Sequence, residues 1–187
     1  MRGRWLWIAV VVIITDVIAG IWWVRHWQQA RHDEVILAAA KRYNVEPALV
    51  KAVVWRESGF KAGVHGKAGE LGLMQIREPA AREWAEAEKI VGFSFNHLLN
   101  TGTNTSAGTW YLAKLSRRYS HTDNPAAYAL ADYNAGRSHV LQWNKDSAAT
   151  NSSAFMAGMT FPGTKRYVLA VQQRRDFYRA QKFGQTH

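Results

Sequence analysis

The sequence lacks cysteine, and it also lacks any spacing of side chains that is typical of a metal site. The absence of cysteine excludes disulfides and thiolate chemistry. The histidines at 65, 97, 121 and 139 are scattered, and no Asp or Glu accompanies them at ligand spacing. We therefore predict that the protein uses no metal and no cofactor.

Acidic residues are scarce, with 14 Asp and Glu against 24 Lys and Arg, so the formal net charge is +10. Such an excess favours an anionic partner. No nucleic-acid-binding motif accompanies the charge, so we predict no nucleic acid and favour acidic polymers or phospholipid head groups. A merely solvated basic face is the alternative. The charge is densest near the C-terminus, at Lys165, Arg166, Arg174, Arg175, Arg179 and Lys182.

The N-terminus carries one long apolar run. Residues 5–24 are apolar except for Thr15 and Asp16, and about 20 residues span a bilayer as a helix. Arg2 and Arg4 precede the run, and a cleaved signal peptide is the alternative. Because Trp22 and its neighbours continue the apolar run, we favour an uncleaved transmembrane anchor over residues 1–25. Residues 26–33 then form a short polar linker, and residues 34–187 form one domain.

No stretch of the domain alternates apolar and polar residues with a period of two, so a β-sheet is not predicted. The periodicity instead predicts an all-α domain. Residues 146–163 are rich in Ser, Thr, Asn and Gly and form the longest flexible candidate. The predicted helices cover residues 34–43, 47–58 and 79–91, a segment around 107–119, the segment from Pro125 through Leu130 with Asn124 as its N-cap, and residues 164–181.

Glu57 occupies a position where an apolar side chain is expected. It follows Leu49 by eight residues and Val53 by four, so it falls on the apolar stripe of the helix over 47–58. Burial penalises the charged form of a carboxyl and raises its pKa, which creates a proton donor near neutral pH. The alternative is a glutamate at the end of a helix that reaches solvent.

Three further segments extend this pattern. A glycine-rich loop follows Glu57 and leads into Gly72-Leu73-Met74-Gln75-Ile76, which starts fifteen residues after the acid. Later come Ala131-Asp132-Tyr133-Asn134-Ala135-Gly136 and Pro162-Gly163-Thr164-Lys165-Arg166-Tyr167-Val168. In this order and spacing, the motifs resemble the lysozyme-like domain of soluble-type lytic transglycosylases. Between Ile76 and Ala131, the sequence also resembles a helix that this family places against the catalytic one, at Asn104, Gly108, Tyr111, Leu112 and Leu115.

The resemblance implies an all-α, lysozyme-like catalytic domain behind the transmembrane helix. It implies cleavage of the β-1,4 bond between N-acetylmuramic acid and N-acetylglucosamine in peptidoglycan glycan strands, with 1,6-anhydro ends. The expected location is the cytoplasmic (inner) membrane, with the domain on the periplasmic side. The implied roles are acid and then base for Glu57, loop organisation for Ser58, cleft floor for Met74, N-acetyl binding for Gln75, shaping of the site for Tyr133 and Asn134, and a hydrogen bond to Glu57 for Tyr167.

Glu70 and Asp132 stand where the resembled family usually has small residues. A second carboxylate near the cleft would position water, which is the chemistry of a muramidase of the same fold. For Glu70 we favour a solvated loop residue over this role. A third hypothesis is a non-catalytic peptidoglycan-binding protein of the envelope. The combination of Glu57 with Gln75, Asn134 and Tyr167 argues against it, because a pure binder needs no desolvated acid.

Overall fold

The computed structural model describes residues 2–185, and within them the chain is helical with no β-sheet, as predicted. Met1 of the predicted anchor, Thr186 and His187 of the predicted domain, and the side chains of residues 2–6, Ala9 and Arg25 lie outside the description. The helices are α1 (Arg2–Ala30), α2 (Asp33–Tyr43), α3 (Pro47–Ser58), α4 (Glu78–Ala87), α5 (Thr101–Arg118), α6 (Pro125–Ala135), α7 (Arg137–Trp143), α8 (Ser152–Gly158) and α9 (Pro162–Ala180), with 3-10 turns at Phe95–Leu99 and Asp146–Ala149.

Helix α3 is the central helix of the domain. Pro47 starts it in the first turn, and Gly59 ends it with a left-handed backbone at a φ of 57°. All residues from Ala48 to Val54 are buried, and all of them except Lys51 are apolar. A helix segment that is apolar on nearly every side must be covered on nearly every side. Helices α2 and α9 pack directly against it.

The remaining helices build the walls around α3. Helix α5 packs against α2, α4 and α6, and α6 in turn packs against α9. Asn100 starts α5 by accepting a hydrogen bond from the Thr103 amide at 3.0 Å. Between α3 and α4 the chain forms no regular element, and isolated bridges pair Leu71 with His65 and with Ile76. This loop lies over the end of α3 that carries Glu57.

Two of the predicted helix ends were wrong, and α5 starts six residues earlier than predicted. Helix α4 stops at Ala87, four residues early, because Lys89 adopts a left-handed φ of 56° and the Ile90 amide turns back to the Ala85 carbonyl at 2.8 Å. Helix α6 runs five residues beyond Leu130, to Ala135. The Asn124 side chain makes no capping hydrogen bond, so the start of α6 depends on Pro125 instead.

The prediction of a flexible segment over 146–163 was also wrong. That segment contains the second 3-10 turn and helix α8. The Asn151 side chain caps α8 through the Ala154 amide at 2.8 Å. Phe155 is fully buried and stacks on Tyr128 at a ring separation of 4.0 Å. Tertiary packing of one aromatic side chain therefore orders a stretch whose composition is typical of a loop.

Helix α1 is long and apolar enough to cross a membrane, judged by length and composition alone. Its apolar part is not buried against the domain, although a signal sequence near an N-terminus has the same properties. The helix continues to Ala30, so the predicted linker over 26–33 is mostly helical and only Arg31 and His32 separate α1 from α2. The Tyr178 hydroxyl of α9 donates a hydrogen bond to Gln29 at 3.0 Å. The end of α1 is therefore fixed to the domain.

Candidate active site

Glu57 lies in the last turn of α3 and faces a cleft of about 520 Å³. This volume is in the range of sites that enclose small ligands. The far wall is the C-terminal end of α6, and the rim is formed by the loop between α3 and α4. The lining residues are Glu57, Glu70, Gln75, Ile76, Arg77, Pro79, Ala80, Tyr111, Asp132, Tyr133, Asn134, Ala135 and Gly136.

Burial raises the pKa of Glu57 to about 7. The hydrogen bond from Tyr167 and the charge of Arg56 partly oppose the rise, and the charge of Glu70 adds to it. Half of the Glu57 population is therefore protonated near neutral pH, which suits a group that must both give and take a proton. The sequence-based expectation of a desolvated acid agrees with this environment.

Tyr167 reaches Glu57 from α9, although 110 residues separate them in sequence. Its hydroxyl donates a hydrogen bond to Oε1 of Glu57 at 2.5 Å, the contact that the resemblance implies. Tyr167 is buried, and burial together with the nearby Glu57 charge holds the pKa of its hydroxyl well above the usual value. The phenol consequently stays protonated and acts as a donor, which fixes Oε1 of a side chain that lines the cleft.

The loop that carries Gln75 is held by Asn104, a residue that the sequence analysis matched to a helix but did not assign to the site. Asn104 is fully buried on α5. Its Oδ1 accepts from the Met74 amide at 2.8 Å, and its Nδ2 donates to the carbonyls of Leu71 at 2.8 Å and Leu98 at 3.0 Å. Gly72 has a φ of 79°, and a Cβ there would lie 2.1 Å from Asn104. With Asn104 in this place, only a residue without a Cβ fits at position 72.

Gln75 lines the cleft with its backbone in a left-handed conformation at a φ of 48°. Its amide nitrogen donates to the carbonyls of Val64 at 2.9 Å and Gly72 at 2.8 Å. Both amide protons thus hold the loop together. Only the side-chain oxygen stays available for a ligand, and an oxygen can accept a hydrogen bond but cannot donate one.

Helix α6 supplies the opposite wall. The Tyr133 hydroxyl donates to the Met74 carbonyl at 2.7 Å, which ties this wall to the loop. The Asn134 side chain is exposed at the cleft, and its Oδ1 accepts from the Thr164 hydroxyl at 2.9 Å. Tyr111 of α5 stands beside Tyr133 with a ring separation of 5.7 Å. Sequence reasoning placed Tyr111 only on a packing stripe, so its position in the cleft was missed.

Three of the predicted site residues do not line the cleft: Tyr167, which acts on it through Glu57, and Met74 and Ser58. The Met74 side chain is fully buried and packs against Gly108, where a Cβ would meet its sulfur at 2.5 Å. It supports the wall from beneath instead of forming the cleft floor. Ser58 is buried, and its hydroxyl donates to the Val54 carbonyl at 3.1 Å within α3. The backbone carbonyl of Ser58 accepts a hydrogen bond from the Lys61 amide, which links Ser58 to the loop.

The two additional carboxylates differ in their surroundings. Asp132 is buried and paired, since its Oδ2 accepts from Arg118 at 2.6 Å and from the Tyr119 hydroxyl at 2.7 Å. A carboxylate engaged in this way is poorly suited to activating water. Glu70 is half-exposed on the cleft rim, where its carboxylate accepts from the Ala68 amide at 3.0 Å. It therefore lines the same cleft as Glu57, and its interpretation as a solvated loop residue stays a prediction.

Among the side chains that the structure describes, no group of three His, Asp or Glu residues lies close enough to hold a metal ion. The prediction that the protein uses no metal remains a prediction.

Residues 34–156 match the family model of the transglycosylase SLT domain. This segment contains Glu57, the loop motif and the α6 motif. The chain belongs to the transglycosylase SLT domain family. Tyr167 lies beyond the matched segment, so the family model does not bear on it.

Named relatives agree with this membership. The membrane-bound lytic murein transglycosylase F of Desulfosudis oleivorans is 29% identical over 157 residues, which are 82% of this chain and 32% of the relative. The membrane-bound lytic murein transglycosylase C of Salmonella arizonae is 32% identical over 125 residues, which are 63% of this chain and 35% of the relative. The chain thus spans about a third of the length of these relatives.

Solved structures of SLT proteins share the fold. The 70 kDa soluble lytic transglycosylase of Escherichia coli has a TM-score of 0.71 at 26% identity, over 80% of this chain and 24% of that one. An inactive mutant of the lytic transglycosylase Slt from Pseudomonas aeruginosa has a TM-score of 0.73 at 24% identity, over 82% of this chain and 24% of that one. The all-α, lysozyme-like fold predicted from the sequence is confirmed.

Proposed function

We propose that the protein is a membrane-anchored lytic transglycosylase that cleaves the β-1,4 bond between N-acetylmuramic acid and N-acetylglucosamine. The observation that supports this most is Glu57, a half-buried carboxyl with a pKa of about 7 that faces a cleft and accepts a hydrogen bond from Tyr167. Membership of the SLT family and the names of the relatives support the choice of peptidoglycan as substrate.

The proposed reaction uses Glu57 twice. Protonated Glu57 donates its proton to the glycosidic oxygen through Oε2, because Oε1 is held by Tyr167. The resulting carboxylate then takes the proton from the C6 hydroxyl of the muramyl residue as that oxygen attacks the anomeric carbon. The bond to N-acetylglucosamine breaks, a 1,6-anhydro ring forms, and the enzyme returns to its protonated state. Water does not enter the products.

Substrate contacts are proposed for the amide side chains of the cleft. Both Gln75 amide protons are engaged, so its oxygen is left to accept from the N–H of an N-acetyl group. The Asn134 oxygen is held by Thr164, so its exposed amide nitrogen is the atom that faces ligand. The two side chains would then present an acceptor and a donor from opposite walls. Tyr133 and Tyr111 shape the apolar wall between them.

A muramidase is the second candidate, and it is favoured by Glu70 on the rim of the same cleft. Mass spectrometry of the ends released from purified sacculi separates the two. A transglycosylase yields 1,6-anhydro-muramyl ends, whereas a hydrolase yields reducing muramyl ends. Reducing ends from the wild-type protein would refute the transglycosylase and support the muramidase. No product of either type, from a folded protein that still binds sacculi, would support a non-catalytic binder.

Occupancy of the cleft can be probed separately. A complex of the 70-kDa soluble lytic transglycosylase with bulgecin A has been solved, and the fold of that protein matches this chain with a TM-score of 0.72. We expect bulgecin A to bind this protein and to protect sacculi from it. Inhibition should be competitive with glycan. Binding that is unchanged when Gln75→Ala and Asn134→Ala are combined would exclude the proposed contacts.

We also propose that residues 1–25 anchor the domain in the cytoplasmic membrane, with the domain on the periplasmic side. The full-length protein should remain in the membrane fraction after a high-salt wash. A variant that starts at Asp33, the first residue of α2, should be soluble and should still cleave sacculi. Recovery of native protein without residues 1–19 from a soluble periplasmic fraction would show that a signal peptide is removed instead.

A further inference from the structure

A second groove lies on the other side of Glu57's helix, where the end of α1 meets α3 and α9. Its walls include Trp22 and His26 from α1, Trp55 from α3, and Arg174 and Phe177 from α9. The lining contains no Asp or Glu among the side chains that the structure describes. Three glutamine amides add to the two indoles already named, so the groove is rich in hydrogen-bond donors and has a positive charge.

Among the side chains that the structure describes, Arg174 is the one guanidinium in this lining, and it lies against aromatic rings. Its guanidinium lies 4.2 Å from the centre of the Trp55 ring and 5.0 Å from that of Phe177. Within the described part of the chain, no carboxylate pairs with it, whereas Arg175 and Arg179 both pair with Asp176. A rigid, uncompensated guanidinium is suited to binding an anion such as a phosphate.

The position of the groove along α1 indicates where that anion comes from. Trp22 is at the end of the apolar run and is 66% exposed, as is typical of tryptophans at a membrane interface. From Trp22 to Gln29 a helix rises about 10 Å. The head-group layer of one leaflet is about 5–7 Å thick, since a bilayer of 40–45 Å has a hydrocarbon core of about 30 Å. The groove therefore spans the height of the lipid head groups.

We propose that this groove binds the head group of an anionic phospholipid, with Arg174 on the phosphate and with Trp22 and Phe177 against the glycerol and upper acyl chains. The proposal rests on the proposed anchoring of α1 in a membrane. It extends beyond anchoring, because a bound lipid at this point contacts α3 and α9 as well as α1. The lipid would set the orientation of the catalytic cleft relative to the membrane surface.

The test uses the full chain purified in detergent and titrated with phosphatidylglycerol or phosphatidylcholine of the same acyl chains. Native mass spectrometry counts the bound lipid. We expect about fivefold tighter binding of phosphatidylglycerol, because one surface cation contributes about 1 kcal/mol towards an anionic lipid. This comparison needs no mutation. Equal binding of the two lipids by the wild-type protein would overturn the proposal.

Variants then locate the site. Arg174→Gln should abolish the preference for phosphatidylglycerol, while Arg174→Lys should retain part of it. Arg175→Gln is the matched control, since it removes the same charge from the neighbouring residue, which does not line the groove. An equal loss in Arg174→Gln and Arg175→Gln would show that only net charge matters and would refute the site. Reduced binding of Arg174→Gln to sacculi, with lipid binding unchanged, would assign the groove to peptidoglycan carboxylates and would also refute it.

The two levels of the proposal fail in different ways. If the full chain stays in salt-washed membranes but shows no lipid preference, the anchor is supported and the lipid site is refuted. If the full chain is absent from membranes, both the anchor and the lipid site are refuted. Cleavage of sacculi by the soluble domain is unaffected in either case, so the proposed catalytic activity is judged independently.

Discussion

The two walls of the cleft each carry a carboxylate, and the two carboxylates have opposite environments. On the α3 side, Glu57 has a phenol as its hydrogen-bond donor and no cation within salt-bridge distance among the described side chains. On the α6 side, Asp132 has Arg118 and Tyr119. The partners of the two carboxyls differ in charge. Glu57 has a neutral phenol as its partner and a raised pKa, whereas Asp132 pairs with a guanidinium and so joins helices α5 and α6.

Of the substitutions that test this difference between the two carboxylates, Glu57→Gln should have the largest effect on activity. Glu57→Gln keeps the size of the side chain and can still accept from Tyr167, but it can neither donate nor accept the catalytic proton. Release of soluble fragments from sacculi should fall by about three powers of ten or more. Circular dichroism should show an unchanged helical fold. A folded variant with more than about a tenth of wild-type activity would refute the assignment.

The stability of the same variant tests whether Glu57 is neutral in the folded state. The pKa of Glu57 is raised from 4.5 to about 7, so the folded protein binds the proton more tightly than the unfolded chain. This preference is fully present below about pH 4.5 and is lost as the pH rises through about 7. Between pH 4 and pH 8, the free energy of unfolding of the wild type should therefore fall by up to about 3 kcal/mol relative to that of Glu57→Gln. Denaturant titrations at both pH values measure it, and a difference that is independent of pH would contradict the raised pKa.

On the other wall, Asp132→Asn should act on stability and not on the product. The substitution leaves Arg118 without its anion, and we expect a loss of about 2 kcal/mol in the free energy of unfolding, because the guanidinium is still partly solvated. The released muramyl ends should remain 1,6-anhydro. Glu78→Gln is a matched control, since it removes an exposed ion pair with Arg82 and should cost less than about 0.5 kcal/mol. A change from reducing to anhydro ends in Asp132→Asn would instead make Asp132 part of a hydrolytic site.

Removal of the Tyr167 hydroxyl should raise the pKa of Glu57 further. The hydrogen bond from Tyr167 lowers the pKa of Glu57, so Tyr167→Phe should raise that pKa above its value of about 7. Activity needs the protonated acid, and the fall in rate at high pH should consequently move to higher pH. The maximal rate should drop about tenfold, because Oε1 is no longer fixed. A pH–rate profile that keeps its position would show that the phenol only fills space.

The smallest effect is expected at Glu70. The charge of Glu70 contributes to the raised pKa of Glu57, so Glu70→Gln should move the high-pH limb of the rate profile slightly towards lower pH. A rate change of no more than severalfold is expected, with 1,6-anhydro ends retained. The combination of Glu70→Gln and Asp132→Asn should behave as the sum of the single changes, because the two carboxylates have no common partner. Loss of all product in Glu70→Gln would make Glu70 a second essential acid and favour the muramidase.

The sequence alone determined the helix that carries Glu57 and the place of the acid on it. Pro47 and Gly59 bound that helix through backbone conformation, which is a local property. The apolar residues four and eight positions before Glu57 predict its burial, because residues at these spacings lie on one face of a helix. The resemblance added the residues expected around it, of which Gln75, Tyr133, Asn134 and Tyr167 converge on Glu57 or its cleft.

Only the tertiary structure decided which partner each polar group has. Nothing local distinguishes Asp132, which pairs with Arg118 across two helices, from Glu70, which stays on the cleft rim. Asn104 fixes a loop about 30 residues earlier in the chain, and α8 is ordered by the packing of Phe155 on Tyr128. Such contacts depend on how helices dock. Helix periodicity states which residues are buried, but it does not state which of them meet, and the pKa of a buried group depends on what it meets.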